Sequence, residues 1–127
     1  MAMFYGKRFL VLEDEPLIAL DIASEIEHLG GEVVADLRSV SAAEKALKTL
    51  NFDAAILDHK LSDGTSVGIG QALRERGTPF VFCTGGMADD VTTGSLSGVT
   101  VWQKPCDWPV LLERFAREIA EPERAAS

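Results

Sequence analysis

Positive charge is scarce in this chain. Against 20 Asp and Glu stand 12 Lys and Arg, giving a formal net charge of −8 and a pI near 4.7. A nucleic-acid binder normally presents a basic face, so that class is disfavoured. Long apolar runs are missing as well. No stretch approaches the roughly 20 residues that span a bilayer, and "MAMFYGKRF" lacks the apolar core of a secretory leader. A soluble protein with a cytoplasmic location and no membrane partner is therefore expected. Cysteine is limited to Cys83 and Cys106, with Cys83 inside an apolar run. Two reduced thiols fit better than a structural disulfide. No glycine-rich turn follows the first apolar run, which argues against a dinucleotide-binding fold. No repeat, low-complexity tract or interior linker divides the 127 residues. One domain over 1–127 is expected, with its core at about 7–120 and a frayed tail at 121–127. That length buries one core without disulfides.

Short apolar runs and helical patterns alternate along the chain. "FLVL" (9–12) reads as a strand buried on both faces. Pro16 suits a first helical turn, and Leu17, Leu20, Ala23 and Ile26, with Ile18, Ile22 and Leu29, recur at helical spacing up to Gly30-Gly31. "EVVAD" (32–36) is a second strand. Ser41 and Glu44 have capping-box spacing for a helix reaching about Leu50. "DAAILD" (53–58) is the third strand and "HKLSDGTS" a loop. A helix from about Val67 to Arg76 is weakened by Gly68 and Gly70. Residues 79–83 and 99–103 give strands four and five. Asp107 caps a last helix whose inner stripe is Leu111, Leu112, Phe115 and Ile119. Five short apolar strands interleaved with helices predict an α/β fold, a parallel sheet with helices on both faces.

In such sheets, sites form beyond the carboxyl ends of the strands. Glu13, Asp14 and Glu15 follow the first strand, and Asp58 ends the third. Thr84 ends the fourth, and Lys104-Pro105 follows the fifth. Clustered carboxylates repel one another unless a cation is present. Mg²⁺ prefers oxygen ligands and keeps some waters, so it suits this set. A lysine and a hydroxyl at the same edge can hold an anion. Together these groups fit a phosphoryl group, whose transfer depends on positioning and charge neutralisation. Asp58 would be the nucleophile.

"VLEDEP", "AILDHKLSDG", "FCTGG" and "QKP" resemble the motifs of the receiver domain of bacterial two-component response regulators, over about residues 7 to 120. The resemblance implies a flavodoxin-like (CheY-like), doubly wound, five-stranded parallel sheet of order 2-1-3-4-5. It implies that a histidine kinase phosphorylates Asp58. Asp14 would be the chief Mg²⁺ ligand, alongside Asp58 and the Lys60 backbone carbonyl, with Glu13 helping through water. Thr84 and Lys104 would each hold a phosphoryl oxygen, and a cis peptide would precede Pro105.

The pattern also departs from the usual receiver. The position three before the lysine, commonly Tyr or Phe, is Val101. Trp102 is its neighbour and points to the opposite face of a strand, so a packing role under a helix is expected for it. "FCTGGM" and "VWQKP" are similar to the FAT GUY subgroup of stand-alone receivers, which is associated with HWE-type histidine kinases. With no aromatic at Val101, Thr84-Gly85-Gly86 and the weak helix former "MADDVTTGSLSG" become the expected output region, with a short or partly unwound helix four. The glycines are expected to permit close backbone approach. Gly86 has no side chain to orient a water, and Lys60 is no general base while protonated, so slow self-dephosphorylation is expected. The chain stops soon after its last helix, so output through contact with a downstream protein, or use as a phosphate sink, is expected. The rival readings are a phosphorylation-independent pseudo-receiver and an aspartyl-phosphate-forming phosphatase. The latter normally needs an Asp-x-Asp pair, where this chain has Glu13-Asp14-Glu15.

Overall fold

The computed structural model describes residues 3–86 and 94–120. In chain order its elements are β1 (Arg8–Leu12), α1 (Pro16–His28), β2 (Glu32–Leu37), α2 (Val40–Thr49), β3 (Ala54–Asp58), β4 (Lys60–Leu61), β5 (Gly64–Thr65), α3 (Val67–Arg76), β6 (Phe80–Thr84), a 3-10 turn (Gly94–Leu96), β7 (Val101–Gln103) and α4 (Trp108–Ala120). β2, β1, β3, β6 and β7 form one parallel sheet in that spatial order. Counting only these five strands along the chain, the order is 2-1-3-4-5, as expected. β4 and β5 make a separate two-stranded antiparallel ladder within "HKLSDGTS", a stretch expected to be plain loop.

Side-chain alternation splits the core in two. Val11, Ile56, Val81, Cys83 and Trp102 point to the face covered by Ile22 and Ile26 of α1 and Leu112 and Phe115 of α4. Leu12, Leu57 and Phe82 point to the other face, under Ala43 of α2 and Ile69 and Leu73 of α3. Each central strand feeds both cores, which explains its unbroken apolar run.

Several local expectations change. Leu17 and Leu20 do not face the core: they are 77% and 60% exposed, and α1 packs through Ala19, Ile22 and Ile26. The helix is so rich in apolar residues that its pattern fits more than one stripe. The cap of α2 is Ser39, whose Oγ accepts from the Ala42 N–H, and not Ser41. Asp63, from the β4–β5 turn, accepts from the Val40 and Ser41 N–H groups, so a distant carboxylate completes this end. β7 starts at Val101, two residues later than expected. The helix expected after Gly86 falls, up to residue 93, outside the described residues, as does the tail at 121–127. Of the remainder, Gly94–Leu96 is a single 3-10 turn whose Leu96 is buried. Asp107 Oδ1 accepts from the Val110 N–H at the start of α4, as expected of a cap.

Candidate functional site

The carboxyl ends of β1, β3, β6 and β7 meet at one edge of the sheet, and each brings a polar group. β1 delivers Glu13 and Asp14, β3 ends on Asp58, β6 ends on Thr84 and β7 leads to Lys104. Parallel pairing in register fixes their relative heights: Asp58 lies beside Cys83, and Thr84 beside Gln103.

Oxygen atoms of Glu13, Asp14 and Asp58 all lie within 4.8 Å of one another. Glu13 and Asp58 are buried, while Asp14 is exposed at the mouth. Such a set of hard oxygen donors, open on one side, could hold a divalent metal ion. Lys104 compensates part of the negative charge. Its Nζ is 2.8 Å from Glu13 Oε1 and 3.4 Å from Asp58 Oδ1. Burial pushes the Asp58 carboxyl up, the Glu13 charge adds to this, and Lys104 opposes it; the outcome is a value of about 7. Burial pulls the Lys104 ammonium down, but the Glu13 hydrogen bond and the two carboxylate charges outweigh it, leaving it raised.

Both carboxylate oxygens of Glu13 are engaged within the protein. One oxygen takes the Lys104 ion pair, and the other accepts from the Glu15 N–H at 3.1 Å. Thr84 is buried, and its Oγ1 accepts from the Gly86 N–H at 3.0 Å. Its hydroxyl hydrogen is not used in that bond. The Gly86 carbonyl in turn accepts from Gln103 Nε2, which ties the turn after β6 to the end of β7. A Cβ at Gly85 would meet nothing within 4 Å, so protein packing does not demand glycine there. Lys60 opens β4 two residues beyond Asp58, with its side chain exposed. The peptide between Lys104 and Pro105 is cis.

Trp102 lies under α4, stacked edge-on against Trp108 and Phe115, the packing role expected of it. Val101 is part-buried on the opposite face of the sheet.

Sequence reasoning missed Ser66. It is fully buried, and its Oγ donates to the Asp58 carbonyl at 2.6 Å. A serine before a helix looks like a cap, and nothing in the sequence signals that it turns back to the end of β3. The pairing of Glu13 with Lys104 was equally invisible, because 91 positions separate them.

Comparison with known proteins agrees with this fold. No protein-family model matches the chain. The phyllosphere-induced regulator PhyR of Methylorubrum extorquens is 35% identical over 87 residues, which cover 66% of this chain and 33% of that protein. The chain thus spans about a third of the length of the curated relative it matches. SdrG from Sphingomonas melonis Fr1, solved in solution, is 34% identical and superposes with a TM-score of 0.71, covering 91% of this chain and 98% of SdrG. A CheY-like response regulator receiver domain protein from Methanospirillum hungatei JF-1 is 22% identical with a TM-score of 0.81, over 94% and 98% of the two chains. The response regulator PhyR from Brucella abortus has a TM-score of 0.78 at 22% identity, over 98% of this chain and 53% of PhyR.

Proposed function

The chain belongs to the CheY-like receiver domains of response regulators, and from that premise we propose that it accepts a phosphoryl group from a histidine kinase onto Asp58, with Mg²⁺ as cofactor. One observation carries the reading: three carboxylates converge within 4.8 Å at the strand ends, with the Lys104 ammonium 3.4 Å from Asp58.

Asp14, Asp58 and the Lys60 carbonyl would hold the cation, with Glu13 beside it. The cation supplies neutralisation of charge on the carboxylates and on the incoming phosphoryl oxygens. An ionised Asp58 oxygen attacks phosphorus, and the bond from phosphorus to the donor imidazole breaks. The Thr84 hydroxyl, already oriented by the Gly86 N–H, donates to one phosphoryl oxygen, and Lys104 pairs with another. Ser66 holds the Asp58 backbone while its side chain reacts.

The kinase side of the reading draws on α1. Leu17 and Leu20 are exposed at the start of the helix that follows Asp14, and exposed apolar groups beside a reactive carboxylate suit a docking protein. The "FCTGGM" sequence and Val101 support an HWE-type kinase as donor. Output passes through a protein contact, or the chain drains phosphoryl groups from the kinase. It has no other catalytic activity and works in the cytoplasm. Lys60 and Gly86, neither a base for water, favour a long-lived phosphoryl group.

Phosphotransfer from a radiolabelled HWE-type kinase in Mg²⁺ tests this. Label should enter the native chain, as a base-labile acyl phosphate, and not Asp58→Ala. Label on both, or on neither with several such kinases and acetyl phosphate, rejects it. Turnover of small phosphoesters would point to a phosphatase instead.

A further inference from the structure

The turn after β6 is held from two sides. Thr84 and Gln103 are partners in the parallel register of β6 and β7, so their side chains rise from the same face of the sheet. The Lys104 N–H joins the two strands at this height by donating to the Thr84 carbonyl at 2.8 Å. Gly86 stands between the two side chains. Its N–H donates to Thr84 Oγ1 at 3.0 Å, and its carbonyl accepts from Gln103 Nε2 at 3.1 Å. A ring is closed in this way: the Thr84 hydroxyl, Gly86, the Gln103 amide, and the strand pairing back to Thr84. Thr84 is buried, whereas Gly86 and Gln103 are exposed. Gln103 fills no part of the core, so packing does not dictate where its amide points.

We propose that Gln103 is the positioning residue for Thr84: by holding the Gly86 carbonyl it keeps the Gly86 N–H on Thr84 Oγ1, and so directs the Thr84 hydroxyl hydrogen away from the turn and toward a phosphoryl oxygen on Asp58. The inference rests on the function proposed above and adds to it the residue that prepares Thr84.

A hydroxyl has one hydrogen to give and two lone pairs to accept with. The Gly86 N–H takes one lone pair and leaves the hydrogen for another partner. A turn released from Gln103 would offer its own carbonyl groups to that hydrogen, and the donor would be spent within the protein. Such a donor is useful only when it already faces the place where charge develops. Only the nitrogen of the Gln103 amide can serve the Gly86 carbonyl, because its oxygen solely accepts. The carboxylates of the site come from the β1 and β3 side, so the ring acts on Thr84 and leaves them in place.

Gln103→Met keeps the length of the side chain and removes its hydrogen bond, at an exposed position, and circular dichroism should show a native fold. Labelling by acetyl phosphate should slow on the order of tenfold, less than the loss of about 10²–10³ that removing such a donor outright brings. The Mg²⁺ affinity, measured by calorimetric titration, should stay at the native value. Without phosphate donor, the Gly86 amide should exchange its hydrogen on the order of tenfold faster by NMR. In a Thr84→Val background the same substitution should change labelling less than about twofold, because the hydroxyl that Gln103 prepares is gone. Equal slowing in both backgrounds overturns the proposal, and so does a native labelling rate in folded Gln103→Met. A fall in Mg²⁺ affinity as large as the fall in rate overturns it as well. If the native chain takes no label, the phosphoacceptor reading fails, and Gly86 exchange still decides whether Gln103 holds the turn: an unchanged exchange rate says that it does not.

Discussion

Replacing Asp58 by Asn should stabilise the metal-free protein, and by an amount that grows with pH. The Asp58 carboxyl is buried against Glu13, and its value rises from 3.8 to about 7 despite Lys104. The sign follows from proton counting. Between those values the folded chain keeps a proton that the unfolded chain has released, so stability falls as pH rises through that window. It is flat below about pH 4 and flat again above about pH 7. The window covers roughly three pH units, and each is worth about 1.4 kcal/mol. Ionising Asp58 in the fold therefore costs about 4 kcal/mol at pH 8, as an upper figure. Asparagine keeps the shape and never ionises.

Urea unfolding of both proteins in chelator, at steps from pH 4 to pH 8, measures the difference directly. The variant should gain on the native chain by about 1.4 kcal/mol per pH unit through the window, with equal m-values. Mg²⁺ at about a hundredfold over its Kd should then add about 2.7 kcal/mol to the native chain and much less to the variant. A difference between the two proteins that does not change with pH would refute the reasoning, since it would mean that Asp58 is not held ionised against its surroundings. A variant less stable than the native chain at pH 8 would refute it as well.

Lys104→Ala should act in the opposite direction at pH 8, costing about 3 kcal/mol in urea unfolding, because Glu13 and Asp58 then share a buried edge without their cation; the loss should shrink at pH 5, where Asp58 holds its proton. Trp102→Leu should cost about 2 kcal/mol by thinning the packing with Trp108 and Phe115, and should leave the rate of acetyl phosphate labelling unchanged. In α3, Gly68→Ala should raise stability by about 0.5–1 kcal/mol, since a Cβ there meets open space. Gly70→Ala should instead lower it by about 1–2 kcal/mol in the same denaturation assay, because its Cβ would stand 2.5 Å from the Phe82 ring.

The contrast between Gly68 and Gly70 shows where sequence reading stops. Both look like faults in a helix, and propensity treats them alike. Only the packed structure separates the one facing solvent from the one pressed on a ring. The spatial order of the strands followed only from the family resemblance; the strands themselves were legible because a buried parallel strand must be apolar on both faces, and a charged or hydroxyl residue then marks its end. Asp58, Thr84 and Lys104 were found by that signal. Helical spacing alone does not tell which apolar residues of α1 are buried: Leu17 and Leu20 recur at the same spacing as the buried Ile22 and Ile26, yet they are exposed. Ser66, Asp63 and the Glu13–Lys104 pair act across chain turns, where no periodicity reports them.

The alternation of strands has a consequence for how a change at Asp58 could spread. Phe82 and Val101 are neighbours in register and share the α2–α3 face, while Cys83 and Trp102 are neighbours on the α1–α4 face. Thr84 stands two residues beyond Phe82 and so belongs with Val101. Val101 is too short to swing between inner and outer positions as a large aromatic could. The large aromatic that β7 does carry is on the wrong face, locked between Trp108 and Phe115. What links Thr84 to its surroundings is instead backbone: its hydroxyl holds the Gly86 N–H, and the Gly86 carbonyl holds Gln103. A phosphoryl oxygen drawing the Thr84 hydroxyl toward Asp58 would pull first on that chain of hydrogen bonds. The turn after β6, and not an aromatic rotamer, is then the part of this edge placed to move.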